Sequence, residues 1–218
     1  MDLIEILKSI ETGNLDADEA ARLIDAGYER DLGFAKLDLD RLRRRGLPEV
    51  IYGPGKTEEQ LSEIVSAMTK AGQDVLITRA TEGQFTTLIT DYPNTEYRQT
   101  ARMILVRNSP ARELSGFVSV VCAGTSDLPV AEEAAFSAEC AGSFVHRIND
   151  VGVAGLHRLM KHLPALKKSS AIVVVAGMEG ALPSVIAGLL DKPIIAVPTS
   201  VGYGTGLNGI AALLAMLN

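Results

Sequence analysis

Three stretches decide how this chain is read: VVCAGTSDLP (Val120 to Pro129), VVVAGMEGALP (Val173 to Pro183) and IIAVPTSVGYGTG (Ile194 to Gly206). Each starts as an apolar strand, ends in small or polar residues, and runs into a helix. In an open parallel sheet such tips gather along the carboxyl edge, where ligands bind. Three of them from one half of the chain imply a small-molecule site. Around them strands are expected at Phe117–Ala123, Ser143–Asn149, Ala171–Ala176 and Ile194–Pro198. Helices are expected at Pro129–Ala141, Gly155–His162, Leu182–Leu190 and Gly206–Leu217. Strict alternation of strand and helix means right-handed crossovers and a parallel sheet covered on both faces. AIVVVA and IIAV are apolar throughout, as strands buried on both faces are.

The preceding residues read differently. Apolar positions at Leu3, Ile6, Leu7 and Ile10 have a helical period, and Asp16 can cap a second helix through Ala26. A strand over Phe34 to Asp40, a short helix Asp40 to Arg45 stopped by Gly46, and a strand Glu49 to Tyr52 follow. Thr57 caps a helix Glu58 to Ala71; Asp74 to Arg79 and Tyr97 to Val106 read as strands, and Glu82 to Asp91 is ambiguous. NSPARELSG (Asn108 to Gly116) is rich in turn formers and marks a boundary. The expected fold class is therefore α/β: residues 1–110 form a smaller α+β domain with a helical start, and residues 111–218 a parallel-sheet domain with flanking helices that carries the small-molecule site.

Composition narrows the function. With a net charge of −6 and a pI near 5.2, general nucleic-acid affinity is not expected, because that needs a basic surface. No apolar run reaches the about 18 residues of a membrane span. The start, MDLIEILKSIETG, is acidic and amphipathic and lacks the pattern of a secretory signal, so a cytoplasmic location is expected. The two cysteines, Cys122 in a strand and Cys140 in a helix, read as reduced thiols packed like small hydrophobes. No Cys/His spacing resembles a metal site.

Several segments carry candidate chemistry. GPGKT (Gly53 to Thr57) fails the phosphate-loop pattern, since Val50 stands where its first glycine belongs. It can still offer Lys56 and backbone amides to an anion, or be a glycine turn with a Thr57/Gln60 capping box. RLRRRG (Arg41 to Gly46), with Arg41, Arg43, Arg44 and Arg45, is either a solvated face or a phosphate-facing cluster. In GTSDLP, one of Thr125, Ser126 and Asp127 suffices to cap the helix; three polar groups at a strand tip suggest hydroxyl or phosphate recognition, with Asp127 a candidate general acid/base or ribose ligand. DVGVAGLHRL (Asp150 to Leu159) places His157 and Arg158 just inside a helix, where the histidine is either structural or, with the adjacent Arg158, part of an anion site. Tight turns explain the glycines of GMEGALP and PTSVGYG, but not Glu179, Thr199 and Ser200 together.

VCAGTSDLPVAEEAA, DVGVAGLHRL, VVVAGMEGALPSVIAGL and IAVPTSVGYG, with RRGLPEVIYGPGKTEEQ, together resemble the LarB family, pyridinium-3,5-biscarboxylic acid mononucleotide synthases of nickel-pincer nucleotide biosynthesis. The resemblance spans nearly the whole chain. The C-terminal half is also similar to the PurE family of aminoimidazole ribonucleotide carboxylases and mutases. The resemblance implies carboxylation of the pyridinium ring of nicotinic acid adenine dinucleotide by carbon dioxide or bicarbonate, and hydrolysis of the phosphoanhydride to release AMP. It implies a cysteine nucleophile that converts the electron-poor ring to an enamine-like species. It assigns Asp127, His157 and Glu179 to catalysis, Glu179 as proton acceptor. Substrate contacts fall to Lys56, Thr125, Ser126, Arg158, Gly177, Met178, Gly180, Thr199 and Ser200, with the Gly177 to Gly180 amides on an anion. Magnesium is expected at the phosphoanhydride, though no protein metal site is. Ligands such as NAD and AMP are expected to bind, and a homo-oligomer, an octamer in PurE-like domains, is implied. Family chains continue past MLN into a Ser-Cys-Ala segment that carries the nucleophile. Because neither Cys122 nor Cys140 matches it, this chain is expected to bind ligand while carboxylating poorly or not at all. The alternatives are a PurE-type mutase on an imidazole ribonucleotide and a non-catalytic nucleotide-binding protein.

Overall fold

The computed structural model describes residues 3–109 and 114–218. The chain separates into two compact units, Met1–Tyr97 with Ile104–Pro110, and Arg98–Met103 with Ala111–Asn218. The expected boundary segment Asn108 to Gly116 includes residues 110–113, which lie outside the described residues.

In the first unit, α1 (Leu3–Glu11) and α2 (Ala17–Tyr28) form the expected helical pair, and the Asp16 carboxylate accepts from the Glu19 amide at 2.7 Å as the cap. The strand expected at Phe34 to Asp40 is only β2 (Lys36–Asp38), paired antiparallel with β1 (Glu29–Asp31). Helix α3 (Arg41–Arg45) stops at Gly46, which takes a left-handed conformation. There follow β3 (Val50–Tyr52), α4 (Glu58–Lys70), β4 (Val75–Thr78), α5 (Glu82–Asp91), β5 (Thr95–Arg98) and β6 (Met103–Val106). The sheet order is β3-β4-β6-β5, with β3 parallel and β6 antiparallel to β4. Leu61, Ile64, Val65 and Met68 of α4 recur at helical spacing and pack with Ile51, Ile77 and Ile104 in one core.

Two readings are settled there. Glu82 to Asp91 is helical despite its β-branched run, because Thr81 and Gln84 form a capping box and Leu88 is buried in the core, while Thr86, Thr87 and Thr90 satisfy their hydroxyls on carbonyls four residues earlier. The single strand expected over Tyr97 to Val106 is instead two, β5 and β6, broken where Arg102 turns to φ 52° and its amide bonds the Gln99 carbonyl. The polar run RQTAR has no apolar alternation to carry a strand through.

The second unit holds a wholly parallel sheet in the order β10-β9-β7-β8. Its elements are β7 (Phe117–Cys122), α6 (Leu128–Cys140), β8 (Phe144–Ile148), α7 (Leu156–Met160), α8 (Leu163–Leu166), β9 (Ala171–Ala176), α9 (Leu182–Leu189), β10 (Ile194–Pro198) and α10 (Ile210–Met216). Both faces are covered, as the continuous apolar strands require. Val121, Ile172 and Val174 pack with Leu159, Leu182 and Ile186 on one side, and Val120, Cys122 and Val175 with Ala131 and Ala135 on the other. This sheet begins at β7, adds β8 on one flank and then β9 on the other. The order therefore reverses between β7 and β9, and their carboxyl tips diverge into a crevice.

Two helices differ from expectation. The helix expected over Gly155–His162 is the shorter α7, and a separate α8 follows it with Pro164 in its first turn. The helix expected from Gly206 starts only at Ile210, because Leu207 and Asn208 take φ of 46° and 54° and Gly209 is also left-handed. Among the described residues no helix is long and apolar enough to cross a membrane.

Candidate functional site

A cavity of about 430 Å³ opens at that switch point, lined from all four strand tips by Gly124 to Asp127, Asp150, Arg158, Gly177 to Glu179 and Val201 among others. Its size lies in the range of small-molecule sites, about 300–1,000 Å³. Most of the candidates from the C-terminal half therefore meet in one place, because parallel strands deliver their carboxyl ends to one edge.

Asp127 is buried, 3% exposed, and both its oxygens are engaged. Oδ2 accepts from the Gly124 amide at 3.0 Å, and Oδ1 accepts from the Thr199 hydroxyl at 2.6 Å. The side chain thus ties the β7 tip to the β10 tip. Thr199 is itself buried, and its amide donates to the Ala176 carbonyl, continuing the bonding towards β9. Gly177 completes the knot, since a Cβ there would sit 2.6 Å from the Thr199 hydroxyl oxygen. Of the polar groups at this tip, Asp127 serves the backbone, so Thr125 and Ser126 remain exposed in the cavity wall with no side-chain hydrogen bond among the described residues.

The loop after β9 departs from expectation in one respect. The Met178 amide donates to the Val201 carbonyl at 2.6 Å and the Gly180 amide to the Gly177 carbonyl at 2.9 Å. These two amides close the turn, so they are not the anion donors expected of Gly177 to Gly180. Met178 pays for the turn with φ 52°, and Gly180 has φ 65° with the Ala212 backbone 2.8 Å from where a Cβ would be. Between them Glu179 is exposed and faces the cavity, with no ion-pair or hydrogen-bond partner among the described residues. A carboxylate held on a fixed turn and left without a partner can accept a proton.

Arg158 is the cation lining this cavity among the described residues, and its Nη1 donates to Asp150 Oδ2 at 2.5 Å. Asp150 escaped the sequence reading, although it follows the end of β8 just before a glycine-rich entry, the position the carboxyl-edge rule singles out. His157 and Ser200 are exposed and do not line the cavity. Helix α7 turns its apolar Leu159 into the core, and this sends consecutive His157 and Arg158 in different directions.

The remaining candidates belong to the first unit. Lys56 Nζ donates to the Tyr52 carbonyl at 2.8 Å. The Thr57/Gln60 capping box is present, Gly55 has φ 78°, and the Gly53 amide bonds the Thr78 carbonyl, so a turn with a cap accounts for GPGKT. Arg43 and Arg44 bond the Asp40 carboxylate, and Arg44 also bonds Asp38. These partners hold the Asp40 carboxyl below its usual range, Arg43 contributing most.

Cys122 is fully buried, and Cys140 is half-buried at the end of α6; neither lines the cavity. Burial pushes the Cys122 thiol up, the Asp127 charge adds to this, and a backbone hydrogen bond from Asp150 opposes it. The folded state therefore disfavours the thiolate relative to the unfolded chain, whose thiol titrates at about 8.5. The sign follows: this group costs no stability below about pH 8.5 and removes stability as pH rises beyond it towards the folded-state value. Denaturant melts from pH 7 to 10 should show a decline that Cys122→Ala flattens, and iodoacetamide at pH 8 should leave Cys122 unmodified in the folded protein. Rapid alkylation at pH 8 would contradict the assignment.

Comparison with known proteins finds matches in both units. Residues 29–108 match the LarB/PurE-like N-terminal domain, and residues 117–218 match the AIR carboxylase domain. An uncharacterized protein of Methanocaldococcus jannaschii is 36% identical over 227 residues, covering 97% of this chain and 86% of that protein. The N5-carboxyaminoimidazole ribonucleotide mutase of the same organism is 32% identical over 102 residues, 45% of this chain and 59% of the mutase.

Proposed function

Because the chain belongs to the LarB family, with a PurE-like C-terminal domain of the carboxylase/mutase type, we propose that it carboxylates the pyridinium ring of nicotinic acid adenine dinucleotide and hydrolyses the phosphoanhydride, yielding pyridinium-3,5-biscarboxylic acid mononucleotide and AMP. The observation that supports this reading best is the charge of the cavity wall. Among the described lining residues Glu179 offers an unpaired carboxylate, and Arg158, bonded to Asp150, offers the guanidinium. Such a wall suits a ligand that carries a cationic ring beside an anionic group. It suits a ribonucleotide whose imidazole ring is uncharged less well.

In this reading a thiolate adds to the ring and turns it into an enamine. An enamine carbon forms the new bond to carbon dioxide, Glu179 takes the proton from that carbon, and the ring electrons expel the thiolate as aromaticity returns. Arg158 holds a phosphate or carboxylate, and Thr125 and Ser126 offer hydroxyls to the nucleotide. Neither Cys122 nor Cys140 is placed to supply the thiol, one by burial and both by lying outside the cavity wall. Magnesium enters the proposal with the phosphates, because that ion keeps waters and takes one or two carboxylates beside them. Among the described residues no group of three His, Cys, Asp or Glu side chains gathers to hold a metal, so the phosphates would take the place of most protein ligands to the ion.

The test is mass spectrometry after incubating the dinucleotide, magnesium and ¹³C-bicarbonate with this chain and with a form extended by the family's Ser-Cys-Ala segment. A dicarboxylated mononucleotide carrying label, formed with AMP by the extended form alone, is the expected result. Absence of labelled product from both would overturn the reading. The mutase relationship gives a second substrate to assay: isomerisation of N5-carboxyaminoimidazole ribonucleotide would assign the chain to that chemistry instead.

A further inference from the structure

We infer that Asp150 is a positioning residue that fixes the Arg158 guanidinium against Gly155 and so aims it at the anionic group of the ligand. The inference rests on the proposed nucleotide site and names a device within it. Asp150 is set by its backbone. It takes φ 57°, and the next two amides pin the chain to the β7 tip, Val151 to the Cys122 carbonyl at 3.2 Å and Gly152 to the Ala123 carbonyl at 2.8 Å. Gly152 permits that approach, since a Cβ there would lie 2.9 Å from the Ala123 carbonyl oxygen. Asp and Asn tolerate the left-handed region better than other side-chain-bearing residues, which fits an aspartate at this corner.

The guanidinium is then held from two sides. Its Nη1 donates to Asp150 at 2.5 Å, and its other edge lies over Gly155, where a Cβ would come within 2.5 Å of Nε and 2.9 Å of Nη2. Five N–H donors make the fork, so one bond to Asp150 leaves donors for a phosphate or carboxylate. Both side chains are half-exposed, so the ion pair itself stabilises the fold little. Its use is orientation: a preset guanidinium loses less freedom when the anion binds.

The measurement is calorimetric titration of the full chain with AMP, for the parent, R158A, D150A, D150N, G155A and the D150A/R158A double variant. D150A should weaken AMP by roughly tenfold, about 1.4 kcal/mol, with a modestly lower melting temperature, because alanine lacks aspartate's tolerance of the left-handed corner. D150N, which keeps a neutral acceptor and the left-handed corner, should fall between. G155A should also weaken AMP, because the guanidinium is the mobile partner in that clash. The double variant should be no weaker than R158A alone, the non-additivity of groups acting through one another. If R158A weakens AMP and D150A leaves it unchanged or tightens it, the positioning role is overturned and the nucleotide site stands. If R158A has no effect, the nucleotide site and the positioning role fail together.

Discussion

Glu179→Gln should lower ring carboxylation by about 10²–10⁴-fold, the span of a general base, while the protein still folds and binds nucleotide. The expectation comes from the turn that carries this residue. Met178 and Gly180 are bonded within or across the loop, and the Ala212 backbone packs on Gly180, so the backbone at position 179 does not depend on the Glu179 side chain. That side chain is exposed, lines the cavity and lacks a partner among the described residues. Replacing its carboxylate by an isosteric amide removes a proton acceptor and little else, and surface changes away from special contacts stay within about 0.5 kcal/mol. Single-turnover carboxylation by the thiol-bearing extended form, read alongside AMP binding and a thermal melt, separates these effects. A Glu179→Gln variant that carboxylates at the parent rate would remove Glu179 from the chemistry. One that loses nucleotide binding would make it a ligand contact.

Much of this site was legible because its grammar is local. A continuous apolar strand that ends in small residues says where the carboxyl edge is, and the alternation with helices says that four such ends share it. Ala171–Ala176 and Ile194–Pro198 were placed to the residue on that basis. What local grammar cannot supply is which polar groups at one edge face each other. Asp127 and Thr199 are separated by 72 positions, and their bond follows from the order β10-β9-β7-β8, which no short stretch encodes. The same holds for Gly177, a glycine because the β10 end crowds it, although its own stretch reads as an ordinary tight turn. The misplaced helix start at Ile210 has a different cause. Leu207 and Asn208 adopt left-handed angles that an apolar, helix-like run conceals, and Gly209 comes within 2.7 Å of the Thr199 carbonyl at the position of an added Cβ. The interruption of the helix thus belongs to the packing of the β10 tip.

Asp127→Ala should be the most destabilising of these changes, by about 3 kcal/mol or more. Two hydrogen bonds to a charged group are lost, each worth about 1.5–3 kcal/mol, and the buried Thr199 hydroxyl is left without its acceptor. For a unit of this size that corresponds to a fall in melting temperature of roughly 12–24 °C. Asp127→Asn should cost much less. Its amide oxygen can take over the Gly124 amide, and the Thr199 hydroxyl, able to donate or accept, can turn to receive the new N–H. The coupling energy of a D127A/T199V cycle should be large, since one partner without the other leaves a buried polar group unmet. The pair of variants also decides between two roles for the same carboxylate. The geometry makes Asp127 the tie between two strand tips, with both oxygens taken. Should D127N fold, bind AMP and turn over at a rate near the parent, the tie is its whole contribution. Should it fold and bind yet fail to carboxylate, then Asp127 exchanges a proton during turnover, and the Thr199 hydroxyl, 2.6 Å away, is the group that must yield its place to the substrate.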